Sequence, residues 1–141
     1  MAHPFHHSLS SVRKWGGEWK DYIKIHSWFD QTKGLIADGR HRAILHSAFG
    51  IFLCEQVFGP VITLSTGKNI PTRWIGEQHV IEDLGTIPSV EKWLEKMPLQ
   101  PWMLRARKLS EEFEEIPAEL GENNIGEENG NTRNSNRGTI D

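Results

Sequence analysis

Glycine and proline interrupt this chain at short intervals, and these interruptions most constrain what it can fold into. Gly16, Gly59 and Gly85 each close a stretch that carries apolar residues, and Pro98 and Pro101 break the chain again. Glycine ends helices because it accepts a left-handed conformation, and proline cannot continue the helical hydrogen bonds. The sequence therefore predicts one small domain that is built from short elements.

Apolar residues at helical spacing fill most of the segments between these breaks. Pro4 suits the first turn of a helix, and Phe5, Leu9, Val12 and Trp15 then form one apolar face. Further helices are predicted at 18–29, 40–58, 76–84 and 90–97, with a last one at about 102–115. The apolar stripe of the central helix comprises Leu45, Ala48, Phe49, Phe52, Leu53 and Val57.

The pattern changes to β-structure between the central helix and the next one. Residues 61–65 and 69–74 flank a turn that contains Gly67, which is typical of a hairpin. Pro71 lacks a backbone donor, so the second strand is expected at an edge. The predicted fold class is therefore mainly α, a small helical domain with one β-hairpin (α+β).

The last part of the chain has a different composition. From Glu122 onward it is polar apart from two isolated isoleucines, Ile125 and Ile140, which cannot offset the entropy lost on ordering the backbone. We expect a single compact domain over residues 1–116 and a disordered polar tail over residues 117–141.

Charge and composition exclude several classes of protein. The formal net charge is −3 with neutral histidines, which argues against nucleic acid as the main partner, because phosphate binding needs a concentrated positive surface. Cys54 is the only cysteine, and its apolar surroundings predict a buried, inert thiol. The chain opens without a signal segment and has no apolar run that could span a bilayer. We therefore expect a cytoplasmic protein with no membrane association.

The richest chemical feature is a set of seven histidines, all within the first 79 positions. Histidine and carboxylate side chains are the usual ligands of zinc, manganese and iron. Three His–Asp pairs are three or four positions apart, which places each pair on one face of a helix. The predicted metal ligands are His26, Asp30, Asp38, His41, His79 and Asp83. A plain His–Asp hydrogen bond would satisfy a buried ring equally well, so the alternative without metal stays open.

Helix geometry limits how these residues combine. His41 and His46 are five positions apart, which separates them by about 140° around a continuous helix. One ion is therefore not expected to bind both, and a metal site would have to draw its ligands from separate helices.

Two functions are consistent with these residues. A divalent metal could activate water for hydrolysis of a phosphate-ester-like bond, with His79 and Asp83 as the catalytic pair and Arg40 or Arg42 holding the anion. The alternative is a non-enzymatic module that holds a nucleotide-like anionic ligand or a protein partner through Arg40, Arg42, Arg73 and Trp74. Six tryptophans suit a core, an interface of a homo-oligomer or stacking on a flat ligand. No other catalytic motif is present in the sequence.

Several motifs resemble a family of small bacterial and bacteriophage proteins that is filed as a domain of unknown function. The similarity covers about residues 3–103. The motifs that carry it are Ile25-His26-x-Trp28-Phe29-Asp30, Arg40-His41-Arg42-Ala43 with His46, Gly50-Ile51-Phe52, Ile70-Pro71-x-Arg73, Gly76-Glu77-Gln78-His79-Val80-x-Glu82-Asp83-Leu84-Gly85 and Ile87-Pro88. The resemblance implies no activity. The resemblance to bacteriophage proteins favours a binding function, because small phage-associated proteins often act by binding.

Overall fold

Five helices and one hairpin form the fold in a computed structural model, which describes residues 2–105 and 116–120. The helices are α1 (Pro4–Trp15), α2 (Ile23–Phe29), α3 (Ala48–Phe58), α4 (Thr72–Leu84) and α5 (Val90–Leu94). The strands β1 (Val61–Thr63) and β2 (Asn69–Pro71) pair antiparallel, with Ile62 opposite Ile70. Short 3₁₀ turns lie at Trp19–Asp21, Gln31–Gly34, Gly39–Ala43, Pro101–Leu104 and Ala118–Leu120. The mainly α fold with one hairpin is confirmed.

Contacts divide the chain into two units, Met1–Pro98 and Leu99–Asp141. The first unit contains all five helices and the hairpin. In the second unit the structure describes the turns Pro101–Leu104 and Ala118–Leu120. The remainder of the predicted helix at 102–115 and the predicted tail beyond residue 120 lie outside the described residues.

Helix ends fall at the predicted glycines. Gly16 adopts a φ of 85° and donates its N–H to the Val12 carbonyl at 2.8 Å, which closes α1. Gly85 adopts the left-handed conformation with a φ of 75° and closes α4 in the same way. Both conformations favour glycine because a Cβ atom would be strained there.

The central helix begins later than its apolar pattern predicts, so the expected start near residue 40 is wrong. Residues Gly39–Ala43 form a 3₁₀ turn, and α3 begins only at Ala48. Ser47 caps this helix, because its Oγ accepts a hydrogen bond from the Gly50 N–H at 3.0 Å. The Leu45 carbonyl packs so closely on Gly50 that a Cβ atom would overlap it. A serine cap and a close backbone contact therefore override the continuous apolar stripe.

The buried faces of two helices also differ from the predicted ones. In α3, Phe49 and Phe52 are about half exposed, whereas Ile51 and Cys54 are buried. In α1 the buried residues are His7, Ser8 and Ser11, and the predicted apolar face is only partly buried. The second predicted strand is also shorter, since β2 ends at Pro71 and residues 72–74 already belong to α4.

The core lies where α2, α3 and α4 meet under the hairpin. Its buried apolar residues are Tyr22, Ile25, Phe29, Leu45, Ile51, Cys54, Leu64, Ile70, Ile75 and Val80. Gly76 lets α4 approach its neighbours, since a Cβ there would lie 3.0 Å from Phe29 Cζ and 3.4 Å from the side chain of Ile51. This close approach brings the next turn of α4, which carries His79, against α2 and the segment before α3.

Candidate metal centre

Two histidines and two aspartates meet in the interior of the first unit. Asp30 is the residue that ends α2, His46 lies in the turn before α3, and His79 and Asp83 are one turn apart on α4. Each offers one ligand atom, and these atoms all lie within 4.8 Å of one another. The histidine rings are fully buried, and the Asp30 and Asp83 side chains are 5% and 4% exposed. The structure thus places two rings and two carboxylates around one point, where they could hold a metal ion.

Their separations identify the atoms that face this point. His46 Nε2 lies 3.2 Å from His79 Nε2 and 2.9 Å from Asp83 Oδ2. His79 Nε2 lies 3.3 Å from Asp83 Oδ2 and 3.4 Å from Asp30 Oδ1. His46 Nε2 lies 3.7 Å from Asp30 Oδ1. Both rings therefore direct the same type of nitrogen at the same two carboxylates.

The electrostatic environment favours ionised carboxylates. Burial alone would raise the pKa of Asp83, but its contacts with His46, His7 and His79 outweigh burial and hold that pKa well below its usual range. Burial is likewise outweighed at Asp30, where contacts with His79 and Lys33 lower the pKa. Both carboxylates are thus deprotonated near neutral pH, which is the state that metal ligands require.

The imidazole ring of His46 is uncharged near neutral pH. Burial lowers its pKa, and the nearby His79 lowers it further, although hydrogen bonding to Asp83 opposes the shift. A neutral imidazole has one free lone pair and can serve as a ligand. Because His46 Nε2 donates to the ionised Asp83 Oδ2 at 2.9 Å, binding an ion through Nε2 requires the ring proton to lie on Nδ1 instead.

Several buried polar atoms of this cluster have no hydrogen-bond partner. Among the described residues, neither carboxylate oxygen of Asp30 accepts a hydrogen bond of good geometry, and His46 Nδ1 is also unpaired. Asp30 Oδ2 has an ion-pair partner in Lys33 Nζ at 3.3 Å. Buried polar atoms are almost always paired, and a buried carboxylate without hydrogen bonds is costly. An ion bound by Asp30 Oδ1 would give a partner to the oxygen that Lys33 does not reach.

Three basic side chains approach the carboxylate oxygens of Asp83 and Asp30. His7 Nε2 lies 3.2 Å from Asp83 Oδ1, while its Nδ1 lies 3.1 Å from Glu82 Oε1. Burial lowers the pKa of His7, but its contacts with Asp83 and Glu82 raise it by more. Arg42 Nη2 approaches Asp83 Oδ1 to 3.7 Å, and Lys33 Nζ approaches Asp30 Oδ2 to 3.3 Å. The three side chains contact Asp83 Oδ1 and Asp30 Oδ2, while Asp83 Oδ2 and Asp30 Oδ1 face the rings of His46 and His79.

A second histidine group adjoins the first. His7, His26 and His79 also offer three ligand atoms within 4.8 Å, and their rings pack against one another with centroids 4.2 to 5.4 Å apart. His26 Nδ1 is already paired with His79 Nδ1 at 3.0 Å, and His26 Nε2 with Ser11 Oγ at 2.8 Å. Burial, with repulsion from His79 and His7, lowers the pKa of His26 to about 2. This group has no carboxylate of its own, so the four-residue group is the stronger candidate centre.

Residues 2–103 match the family described as Domain of unknown function (DUF6915). The chain belongs to this family. A search of curated proteins and a search of solved structures found no match. In the described part of the DUF6915 chain, no helix combines the length and the apolar character that crossing a membrane requires.

The DUF6915 domain brings together only part of the predicted metal set. Asp30, His79 and Asp83 meet directly, and His26 contacts His79 from behind. Asp38 lies at the surface, where its side chain is 53% exposed and its Oδ2 pairs with Arg40 Nη2 at 2.7 Å. The His41 ring is buried, but its Nδ1 lies 2.8 Å from the Asp38 carbonyl. Asp38 and His41 therefore lie outside the candidate centre, because the 3₁₀ turn at Gly39–Ala43 replaces the predicted helix.

The four predicted anion-binding side chains lie in different settings. Arg40 binds Asp38 at the surface, Arg42 lies beside Asp83, and Arg73 is 3.9 Å from Glu77. Trp74 stacks on Trp15 with ring centroids 6.4 Å apart. Arg40 also lines an apolar cleft of about 700 Å³ with residues of the turn before α3 and of α5.

Sequence reasoning missed His46, a member of the four-residue cluster, and His7, which contacts Asp83 from outside it. The apolar pattern places His46 on a continuous helix, where it is not expected to share an ion with His41. His7 is not among the predicted metal ligands. A signal for His46 exists in Ser47, since a serine followed by an apolar helical run is typical of a helix start. No comparable signal marks His7, because burial of a polar helix face depends on the partner helix α4.

Proposed function

We propose that this domain binds one divalent transition-metal ion, zinc in the first place, through Asp30 Oδ1, His46 Nε2, His79 Nε2 and Asp83 Oδ2. The observation that carries the proposal is the set of five separations between these atoms, from 2.9 to 3.7 Å. Zinc takes four nitrogen or oxygen ligands at about 2.0–2.1 Å, which spaces neighbouring ligand atoms of a tetrahedron by about 3.3 Å. The five separations are close to this spacing, and the four ligand atoms as a group lie within 4.8 Å of one another, which supports a tetrahedral zinc site.

Ligand chemistry supports zinc over the other two candidate metals. Two imidazoles and two carboxylates form a complete tetrahedral set, and two anionic ligands neutralise a divalent ion. Manganese prefers six oxygen-rich ligands, and non-haem iron typically takes two histidines and one carboxylate with open positions.

Burial favours a structural role for the ion. The four ligand side chains are 0–5% exposed, and closed four-ligand sites are typical of structural zinc, whereas catalytic zinc keeps a position for water. The ligands come from α2, from the turn before α3 and from α4. An ion there would join three parts of the chain that are distant in sequence.

Hydrolysis of a phosphate-ester-like bond is a second candidate, supported by the two cations beside the carboxylates. Arg42 and Lys33 are 14% and 34% exposed and could hold an anion next to the ion. Hydrolysis also needs an open coordination position, so the centre would have to open. The test is turnover of bis(4-nitrophenyl) phosphate by zinc- or manganese-loaded protein. Activity that persists in Asp83→Asn would rule out this centre as its source.

The main proposal is tested by metal content and affinity. We expect the untagged full chain, stripped with a chelator and reloaded, to hold one zinc per chain and to give the intense visible absorption of tetrahedral cobalt when Co²⁺ replaces zinc. His46→Ala should lose the ion while circular dichroism shows a retained helical fold. His6→Ala, an exposed histidine outside the cluster, is the matched control and should bind normally. Wild-type protein without stoichiometric zinc, or equal binding by His46→Ala, would contradict the proposal.

A further inference from the structure

A chain of short hydrogen bonds leads through three helices to the ring of His79. Gln78 Oε1 lies 2.6 Å from Ser11 Oγ, and Ser11 Oγ lies 2.8 Å from His26 Nε2. His26 Nδ1 then lies 3.0 Å from His79 Nδ1. All four side chains belong to residues that are 0–4% exposed. Because solvent does not reach them, each proton in this chain must have a defined position.

The orientation of the Gln78 amide sets the donor-to-acceptor direction of these hydrogen bonds. Its amide nitrogen donates to the His7 carbonyl at 3.0 Å and to Glu82 Oε1 at 2.6 Å. Both partners are acceptors, so the amide oxygen is the group that faces Ser11. The single hydroxyl proton of Ser11 is therefore donated to Gln78 Oε1 at 2.6 Å or to the His7 carbonyl at 3.1 Å. In either case Ser11 Oγ is left as an acceptor for His26.

The position of the proton on the His26 ring follows from the same reasoning. Its Nε2 must donate to Ser11, because the hydroxyl proton is already used. The ring is fully buried, and within the described part of the chain its nitrogens hydrogen-bond to Ser11 and His79 and to no carboxylate that would offset a positive charge. A neutral His26 with its proton on Nε2 has a bare Nδ1, which can only accept. His79 Nδ1 must then carry the donated proton.

We infer that Gln78, Ser11 and His26 form a relay that fixes His79 in the tautomer with its proton on Nδ1. The Nε2 lone pair of His79 then faces Asp30, His46 and Asp83, which is the state a metal ligand needs. His26 is thus a positioning residue that acts through His79. The effect on metal affinity rests on the proposed function, whereas the tautomer can be measured independently of it.

Nitrogen-15 NMR of the histidine rings tests the relay directly in the zinc-loaded full chain. We expect His79 to show a protonated Nδ1 and His26 a protonated Nε2. A His26 ring with its proton on Nδ1 would overturn the inference. If wild-type protein binds no zinc, the proposed function fails, while the His26 tautomer in metal-free protein still decides whether the relay exists.

Two substitutions at one position separate hydrogen bonding from packing. His26→Leu removes the acceptor at similar size, and we expect it to weaken zinc binding by about 10–100-fold, as is usual for groups that orient a ligand. His26→Asn keeps an acceptor near the position of Nδ1 and should retain most of the affinity. Competition with a chromogenic chelator measures both. Equal losses in the two variants, or no loss in His26→Leu, would overturn the inference, and if His26→Leu does not fold, the NMR result decides.

Discussion

Zinc should raise the thermal stability of this domain by an amount that depends on its free concentration. A ligand that binds only the folded state stabilises it by RT ln(1 + [L]/Kd), which is about 2.7 kcal/mol at 100 times Kd. For a domain of the size of Met1–Pro98, each kcal/mol shifts Tm by about 4–8 °C. The expected shift is therefore about 11–22 °C between chelator-treated and zinc-loaded protein, measured by circular dichroism.

A matched pair of aspartate substitutions assigns this shift to the candidate centre. Asp30→Asn keeps the size of the side chain but removes a charged ligand. If its affinity falls a hundredfold, the same zinc concentration equals the new Kd and stabilises by only about 0.4 kcal/mol, or about 2–3 °C. Asp38→Asn makes the same chemical change at an aspartate that pairs with Arg40 at the surface, so it should keep the full shift.

Two results would refute this reasoning. A Tm that does not respond to zinc or chelator in the wild-type protein would mean that the four ligand atoms are held by hydrogen bonds and ion pairs alone. An Asp30→Asn shift equal to that of the wild type would mean that zinc binds elsewhere.

Three further predictions concern the fold. Gly50→Ala should lower the free energy of unfolding in urea by about 3 kcal/mol, because its Cβ overlaps the Leu45 carbonyl. Asp21→Asn should cost about 1 kcal/mol at neutral pH. Hydrogen bonds outweigh burial and lower the pKa of Asp21, so this cost should shrink as the pH falls below the usual value of 3.8. Burial raises the pKa of Cys54 to about 12, so a thiol reagent should label it only on unfolding.

A control variant checks the first of these predictions, and a contradicting outcome is defined for the other two. Gly34→Ala adds a Cβ where no atom lies within 4 Å, so it should change stability by less than about 0.5 kcal/mol. A cost at Asp21 that grows in acid would contradict the assigned sign. Labelling of Cys54 faster than global unfolding would show that the core around it opens locally.

The features that sequence reasoning predicted well depend on residues close to one another in the chain. Gly16 and Gly85 end helices as expected. The hairpin around Gly67 is confirmed for the same reason. The pairing of His79 with Asp83 also follows from local spacing, since four positions on one helix bring their side chains together.

The features that it missed depend on tertiary contacts. The start of α3 depends on a distant segment as well as on the local Ser47 cap, since the Ala48 N–H donates to the Pro88 carbonyl at 2.9 Å and Trp93 Nε1 donates to the His46 carbonyl at 2.8 Å. The buried face of α1 is polar because Ser11 and His7 find hydrogen-bond partners on α4. A pattern of apolar residues cannot predict such a face, because the same side chains would be solvent-exposed without that partner helix.

The late start of α3 is itself a condition for the candidate centre. On a continuous helix over 40–58, the orientation of His46 would be fixed by helical geometry relative to its neighbours. In the structure His46 lies in a turn, where Trp93 Nε1 donates to its carbonyl at 2.8 Å and its own N–H donates to the Arg42 carbonyl at 2.9 Å. These bonds hold the backbone so that Nε2 reaches His79 and Asp83. The Ser47 cap begins α3 one residue after His46, so the His46 carbonyl lies outside that helix and accepts from Trp93 instead of from a helical N–H.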